Sequence, residues 1–75
     1  MTLTDHSGQV YSVTQLNGGR VCSGSHDETV KIWDLATGAC AMTLTGHTGQ
    51  VPFVIHLDDG RVCSGSKDRT IKIWE

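Results

Sequence analysis

Large aromatic side chains are scarce in this chain: two Trp, one Phe and one Tyr among 75 residues. So few anchors, in so short a chain, make an isolated hydrophobic core marginal. No apolar run approaches membrane-spanning length, and the first residues lack the pattern of a signal peptide. Net charge is only −2, so there is no electrostatic case for nucleic acid or an anionic membrane. Cysteine is sparse and odd in number, at Cys22, Cys40 and Cys63, with no C-x-x-C spacing. That excludes a disulfide framework or a paired-ligand metal site and leaves free thiols, acting as small hydrophobes in a reducing intracellular compartment such as the cytoplasm. Proline occurs once, against nine Gly. Glycine-rich, proline-poor chains of this kind are turn-rich β proteins.

What the sequence does have is an internal repeat. A unit of 41 residues is written almost twice, Leu3-Thr4 falling opposite Leu44-Thr45 and Asp34 opposite Glu75. Of the 32 aligned pairs, 20 are identical, and Gly-Arg-Val-Cys-Ser-Gly-Ser at 19–25 recurs unchanged at 60–66. A fixed period near 40 residues marks a repeat architecture. The first repeat is expected over about 1–41 and the second over about 42–75.

Within each period the turn residues set four strands. Residues 10–16, 20–25, 29–34 and 39–45 read as strands, as do 51–57 and the copies that follow. The separators are Asn17-Gly18-Gly19, Ser25-His26-Asp27-Glu28, Leu35-Ala36-Thr37-Gly38 and Asp58-Asp59-Gly60. Pro52, near the start of its strand, suits a sheet edge. The third strand is apolar on both faces, with Val30 and Ile32 on one and Trp33 on the other. A sheet apolar on both faces must be covered on both. The expectation is an all-β chain of four-stranded antiparallel meanders, stacked face to face.

Thr45-Gly46-His47, Ser64-Gly65-Ser66-Lys67-Asp68 and Ile71-Lys72-Ile73-Trp74 occur in order, with His6, Asp27 and Trp33-Asp34 at matching places in the first copy. In these motifs the chain resembles the WD40 repeats over its whole length. The resemblance implies β-propeller blades around a central channel. It also implies a hydrogen-bonded tetrad in each repeat: His6, Ser23, Asp27 and Trp33, then His47, Ser64, Asp68 and Trp74. The chemistry is compatible. A carboxylate can hold an imidazole N–H, the imidazole can meet the Ser hydroxyl, and that hydroxyl can accept from the indole. A catalytic Ser-His-Asp triad is the competing reading. It fails for want of a visible oxyanion motif, and because each partner is committed within the network. The His26-Asp27-Glu28 triplet cannot converge on a metal, and its second copy is Lys67-Asp68-Arg69. No cofactor, metal or catalytic residue is expected. Two positions depart from the pattern: Asp5 replaces the Gly before the motif His, and Glu75 replaces Asp34.

The family also implies a loop face for partners, to which Gln9, Tyr11, His26, Gln50, Pro52 and Lys67 belong by position. Tyr11 is the only aromatic among them. A further expectation concerns the ends. The chain starts inside an outer strand, Met1, Thr2, Leu3 and Thr4, and stops on a third strand, Ile71, Lys72, Ile73, Trp74 and Glu75. The first set could pair with the second set of another molecule, closing a ring between chains. Identical two-repeat chains give even blade counts, and eight blades from four chains is the expected cyclic homo-oligomer, ahead of six from three. The leading functional reading is thus a self-assembling, non-catalytic propeller piece, excised or engineered from a longer protein. The alternative is a natural protein–protein interaction module of a larger protein, and a third is an enzyme using the Ser/His/Asp network.

Overall fold

The computed structural model describes residues 3–57 and 60–74. Among the described residues seven strands follow one another with no helix: β1 (Val10–Leu16), β2 (Arg20–Ser25), β3 (Val30–Asp34), β4 (Cys40–Leu44), β5 (Phe53–His56), β6 (Val62–Gly65) and β7 (Ile71–Trp74). They form two antiparallel meanders, one of order β1-β2-β3-β4 and one of order β5-β6-β7. Since no described element is helical, no helix is long and apolar enough to cross a membrane.

The strands start and stop where local chemistry dictates. Asn17-Gly18-Gly19 turns the chain between β1 and β2. At the next turn Asp27 Oδ1 accepts the Thr29 N–H at 3.0 Å, and Glu28 takes a φ of +74°. Arg69, its counterpart, has a φ of +71°. Asp34 Oδ1 accepts the Ala36 N–H at 2.8 Å, which closes the turn into β4.

Some boundaries differ from the sequence reading. The strand expected over 51–57 begins only at Phe53 and ends at His56. Pro52 has no N–H to give to a ladder, and the Val51 N–H goes to the Ser25 carbonyl of the first sheet at 2.9 Å. The strands expected over 29–34 and 39–45 are trimmed to Val30–Asp34 and Cys40–Leu44. Of the outer strand expected at the start, Leu3 and Thr4 lie in no strand of this chain. Met1, Thr2 and Glu75 lie outside the described residues, as do Asp58 and Asp59 of the last hairpin turn.

The core lies between the two sheets. Leu16, Cys22, Val30 and Ile32 of the first face Val51, Val54 and Val62 from the second repeat, with Leu44 and Trp74 at the margin. Burying each of the larger side chains contributes about 1.5–3 kcal/mol. The sheets approach so closely that a Cβ on Gly24 would stand 2.7 Å from the Val51 carbonyl oxygen. Only glycine fits there. The other face of β3 is covered too, with Lys31 and Trp33 both buried. The Lys31 stem lies in the sheet and its Nζ reaches Asp5 Oδ2 at 3.3 Å and Thr43 Oγ1 at 2.9 Å. Asp5 thus gives the buried lysine a counter-charge. Its counterpart Gly46 instead lies against Trp74, where a Cβ would be 3.3 Å from the indole.

Candidate functional site

Each repeat brings His, Ser, Asp and Trp together from four pieces of backbone. His6 comes from the segment before β1, Ser23 from β2, Asp27 from the β2–β3 turn and Trp33 from β3. His6 Nδ1 lies 2.8 Å from Asp27 Oδ2, and His6 Nε2 lies 2.6 Å from Ser23 Oγ. The Trp33 indole N–H donates to the same Ser23 oxygen at 2.8 Å. The second repeat matches: His47 to Asp68 at 2.9 Å, His47 to Ser64 at 2.8 Å, and the Trp74 indole to Ser64 at 2.7 Å. One proton arrangement satisfies every group. The indole donates to Ser, the Ser hydroxyl donates to Nε2, and the Nδ1 proton goes to the carboxylate. The imidazole also meets the Trp ring edge-on, with centroids 6.0 Å apart in the first repeat and 6.1 Å in the second.

Sequence reasoning missed a fifth member. The Thr29 hydroxyl donates to Asp27 Oδ1 at 2.5 Å, and the Thr70 hydroxyl does the same to Asp68. The signal was present as Asp-x-Thr at the same place in both repeats. The Ser7 and Thr48 N–H groups reach the other carboxylate oxygen at 3.0 Å each. Burial by itself raises the Asp27 carboxyl. The hydrogen bonds from Thr29, His6 and the backbone outweigh it and hold Asp27 well below the usual carboxylate range. For Asp68 the Thr70 hydroxyl is the largest influence. With His47 and two backbone N–H groups it overcomes burial and lowers that carboxyl likewise.

The Ser–His–Asp order resembles a hydrolase relay, yet the hydroxyls are poorly placed for attack. Ser23 is 3% exposed and Ser64 is wholly buried, and each already accepts an indole N–H. A cavity of about 100 Å³ touches His6 and Ser23, but its other walls are Leu3, Val10, Val13, Val21 and Trp33. Apolar walls offer no donor to a developing oxyanion.

The loop end of the blades holds the second set of residues. Tyr11 is the extra residue of a bulge, because the β1–β2 register slips between Val10 and Ser12. Its hydroxyl crosses to the second repeat and donates to Gln50 Oε1 at 3.2 Å, while its ring lies 6.2 Å from that of His26. His26 N–H donates to the Gln9 carbonyl at 2.8 Å, and Lys67 N–H to the Gln50 carbonyl at 2.9 Å. Five of the six expected residues are therefore chained together around Tyr11. Pro52 stands beside them in the sequence, half-buried just before β5. Of the residues expected to pair between chains, Ile71, Lys72, Ile73 and Trp74 form β7, whose outer edge faces no partner strand among the described residues.

Burial pushes the Cys22 thiol up to about 12. Cys40 and Cys63 are half-buried, and all three are free.

Known proteins match parts of this chain over short stretches of their own length. Over 39 residues the chain is 54% identical to Protein tipD of Dictyostelium discoideum, covering 52% of this chain and 6% of that protein. Over 40 residues it is 40% identical to Cell division control protein 4 of Saccharomyces cerevisiae, covering 53% of this chain and 5% of that protein. Over 38 residues it is 55% identical to Vegetative incompatibility protein HET-E-1 of Podospora anserina, covering 49% of this chain and 3% of that protein. The chain thus spans a small part of the length of these relatives. Residues 1–34 and 38–75 each match the family described as WD domain, G-beta repeat. With two blade-like meanders carrying His, Ser, Asp and Trp at the same places, the chain belongs to the WD40 repeat family.

Proposed function

We propose that the chain is a non-catalytic protein-interaction module, a pair of WD40 repeats divided near residue 41 that works as part of a larger protein. The tetrads act as ties between loop and strand, and the loop end around Tyr11 is the recognition surface. The observation that carries this reading is Tyr11 itself. It is an aromatic side chain, 41% exposed, pushed out of its ladder by a bulge and braced across both repeats by Gln50. Braced, partly exposed aromatics are the usual anchors of protein contacts. The buried Ser hydroxyls speak against an enzyme. The free thiols suit a reducing intracellular compartment.

A peptide-display library panned against the chain tests it. Selected binders are expected to lose about tenfold or more in affinity to Tyr11→Ala, and little to Asn17→Ala at the opposite end. Binders that depend on Asn17 and ignore Tyr11 would refute the surface.

One observation favours a second reading, assembly into a closed homo-oligomer by strand exchange. Among the described residues the second sheet has three strands where the first has four, so β7 pairs on one side only. An open edge is a template for a further strand, and residues 1–4 of another copy would supply it. The expected product is a cyclic tetramer of eight blades, four times the 8.1 kDa chain mass. Removing residues 1–4 is expected to abolish it in native mass spectra. An unchanged ring in the shortened chain would exclude strand exchange.

A further inference from the structure

We infer that the loop end is a two-signed site. It takes a peptide segment that sets an acidic residue on the turn at 67–69, a basic residue on the turn at 26–28, and an apolar or aromatic residue on Tyr11 between them. The inference rests on the loop-face reading and names the chemistry of the partner which that face would hold.

The two turns are one backbone shape carrying opposite charge. Glu28 and Arg69 are repeat counterparts, with φ of +74° and +71°. Each N–H donates to the carbonyl of the Ser three residues back, Glu28 to Ser25 at 3.3 Å and Arg69 to Ser66 at 3.2 Å. The hydroxyls of these serines accept the Asp27 and Asp68 N–H groups at 3.1 Å each. The tip side chains therefore leave the backbone from equivalent places. Around them the sequence changes sign. His26-Asp27-Glu28 has two carboxylates and no Lys or Arg, whereas Lys67-Asp68-Arg69 has two cations about one carboxylate.

Asp27 and Asp68 do not account for the difference. Each carboxylate is enclosed alike, by an imidazole, a Thr hydroxyl and two backbone N–H groups. The contrast lies in side chains that the fold does not use. Among the described residues Glu28, Lys67 and Arg69 are exposed, and none is held in an ion pair.

Tyr11 stands between the two turns and is tied to both. Its ring lies 6.2 Å from that of His26. Its hydroxyl donates to the Gln50 side chain, and the Gln50 backbone carbonyl accepts the Lys67 N–H at 2.9 Å. The site is thus built at the junction of the two repeats, from residues of both. An anchor flanked by opposite charges gives direction to what it binds. A segment laid the wrong way round would set like charges against each other. Exposed charges add little affinity by themselves, so their part is orientation and choice of partner rather than tightness.

The test is the double variant Glu28→Arg, Arg69→Glu of the 75-residue chain. Each residue already takes this backbone conformation in the other repeat, so the exchange adds no strain, and the thermal midpoint should match the parent's. The probe is a library of random linear peptides displayed on phage and panned against the parent chain at low salt. Binders that Tyr11→Ala weakens are expected to carry an acidic and a basic residue on opposite sides of an apolar or aromatic one. Their affinity should fall about fivefold in the double variant. The same peptide with its acidic and basic residues exchanged should do the reverse, binding the double variant better than the parent. Salt gives a readout free of any substitution. Binding to the parent should weaken between about 0.05 M and about 0.5 M salt, as exposed charges are screened. Tyr11-dependent binders with charges of one sign or none, with equal affinity for parent and double variant, or with no response to salt would overturn the inference and leave the loop-face reading standing. Binders indifferent to Tyr11 would overturn both.

Discussion

Trp33→Ala is expected to lower the unfolding free energy by about 3–5 kcal/mol, read as a fall in the urea midpoint without a change in slope. Trp33 is 3% exposed, so truncation empties a filled site. It also leaves the Ser23 hydroxyl without the indole donor at 2.8 Å. A chain of this size holds roughly 4–11 kcal/mol in total, so this one change removes a large share. Trp33→Phe separates the two contributions. It keeps most of the packing and loses only the N–H, so it should cost about 1–2 kcal/mol. An unchanged midpoint in Trp33→Ala would reject the tetrad as a structural tie.

Asp27→Asn is expected to cost about 1–3 kcal/mol at neutral pH, because an amide cannot accept on both sides as the carboxylate does. Its oxygen can serve Thr29, and then its NH₂ confronts the His6 N–H. The wild-type pH profile follows from the same bonds. The folded-state carboxyls of Asp27 and Asp68 lie below their ordinary value. Their contribution is therefore complete above the unfolded carboxylate pKa, about 4. It is lost as pH falls through the depressed folded values. Thermal midpoints measured between neutral pH and strong acid should be flat down to about pH 4 and then drop. In Asp27→Asn the drop should be smaller, since one of the two carboxylates no longer titrates. Equal acid sensitivity in both proteins would show that Asp27 carries none of it.

Much of this was legible because the chain repeats itself. A 41-residue offset turns one set of chemical residues into two, and a His, Ser, Asp or Trp that recurs in register is easily separated from background. Turn residues were equally plain, since Asn17-Gly18-Gly19 and Ser25-His26-Asp27-Glu28 carry their own local reasons for bending. The start of β5 was less plain. Pro52 was visible, but the loss of Val51 to the Ser25 carbonyl depends on a neighbouring sheet. Thr29 and Thr70 were overlooked because Thr is unremarkable in a strand. Their role appears only when the Asp side chain is seen to turn back on them. Tyr11 stood out in the sequence as the one aromatic of the loop-face set, but the bulge that takes it out of the ladder and its contact with Gln50 depend on the folded sheets.

The clearest division lies in one heptapeptide, Gly-Arg-Val-Cys-Ser-Gly-Ser, which occurs at 19–25 and again at 60–66. By itself it determined a strand in both places, β2 and β6, and put Ser23 and Ser64 under a Trp indole. It did not determine what covers that strand. Cys22 is wholly buried and its thiol pushed up to about 12, whereas Cys63, with the same neighbours in sequence, stays half-buried. Gly24 is pressed against Val51 and Gly65 faces open space. Strand formation depends on backbone preferences and hydrogen bonds that neighbours in sequence supply. Burial depends on a second sheet, and only the tertiary structure decides which of two identical strands receives one.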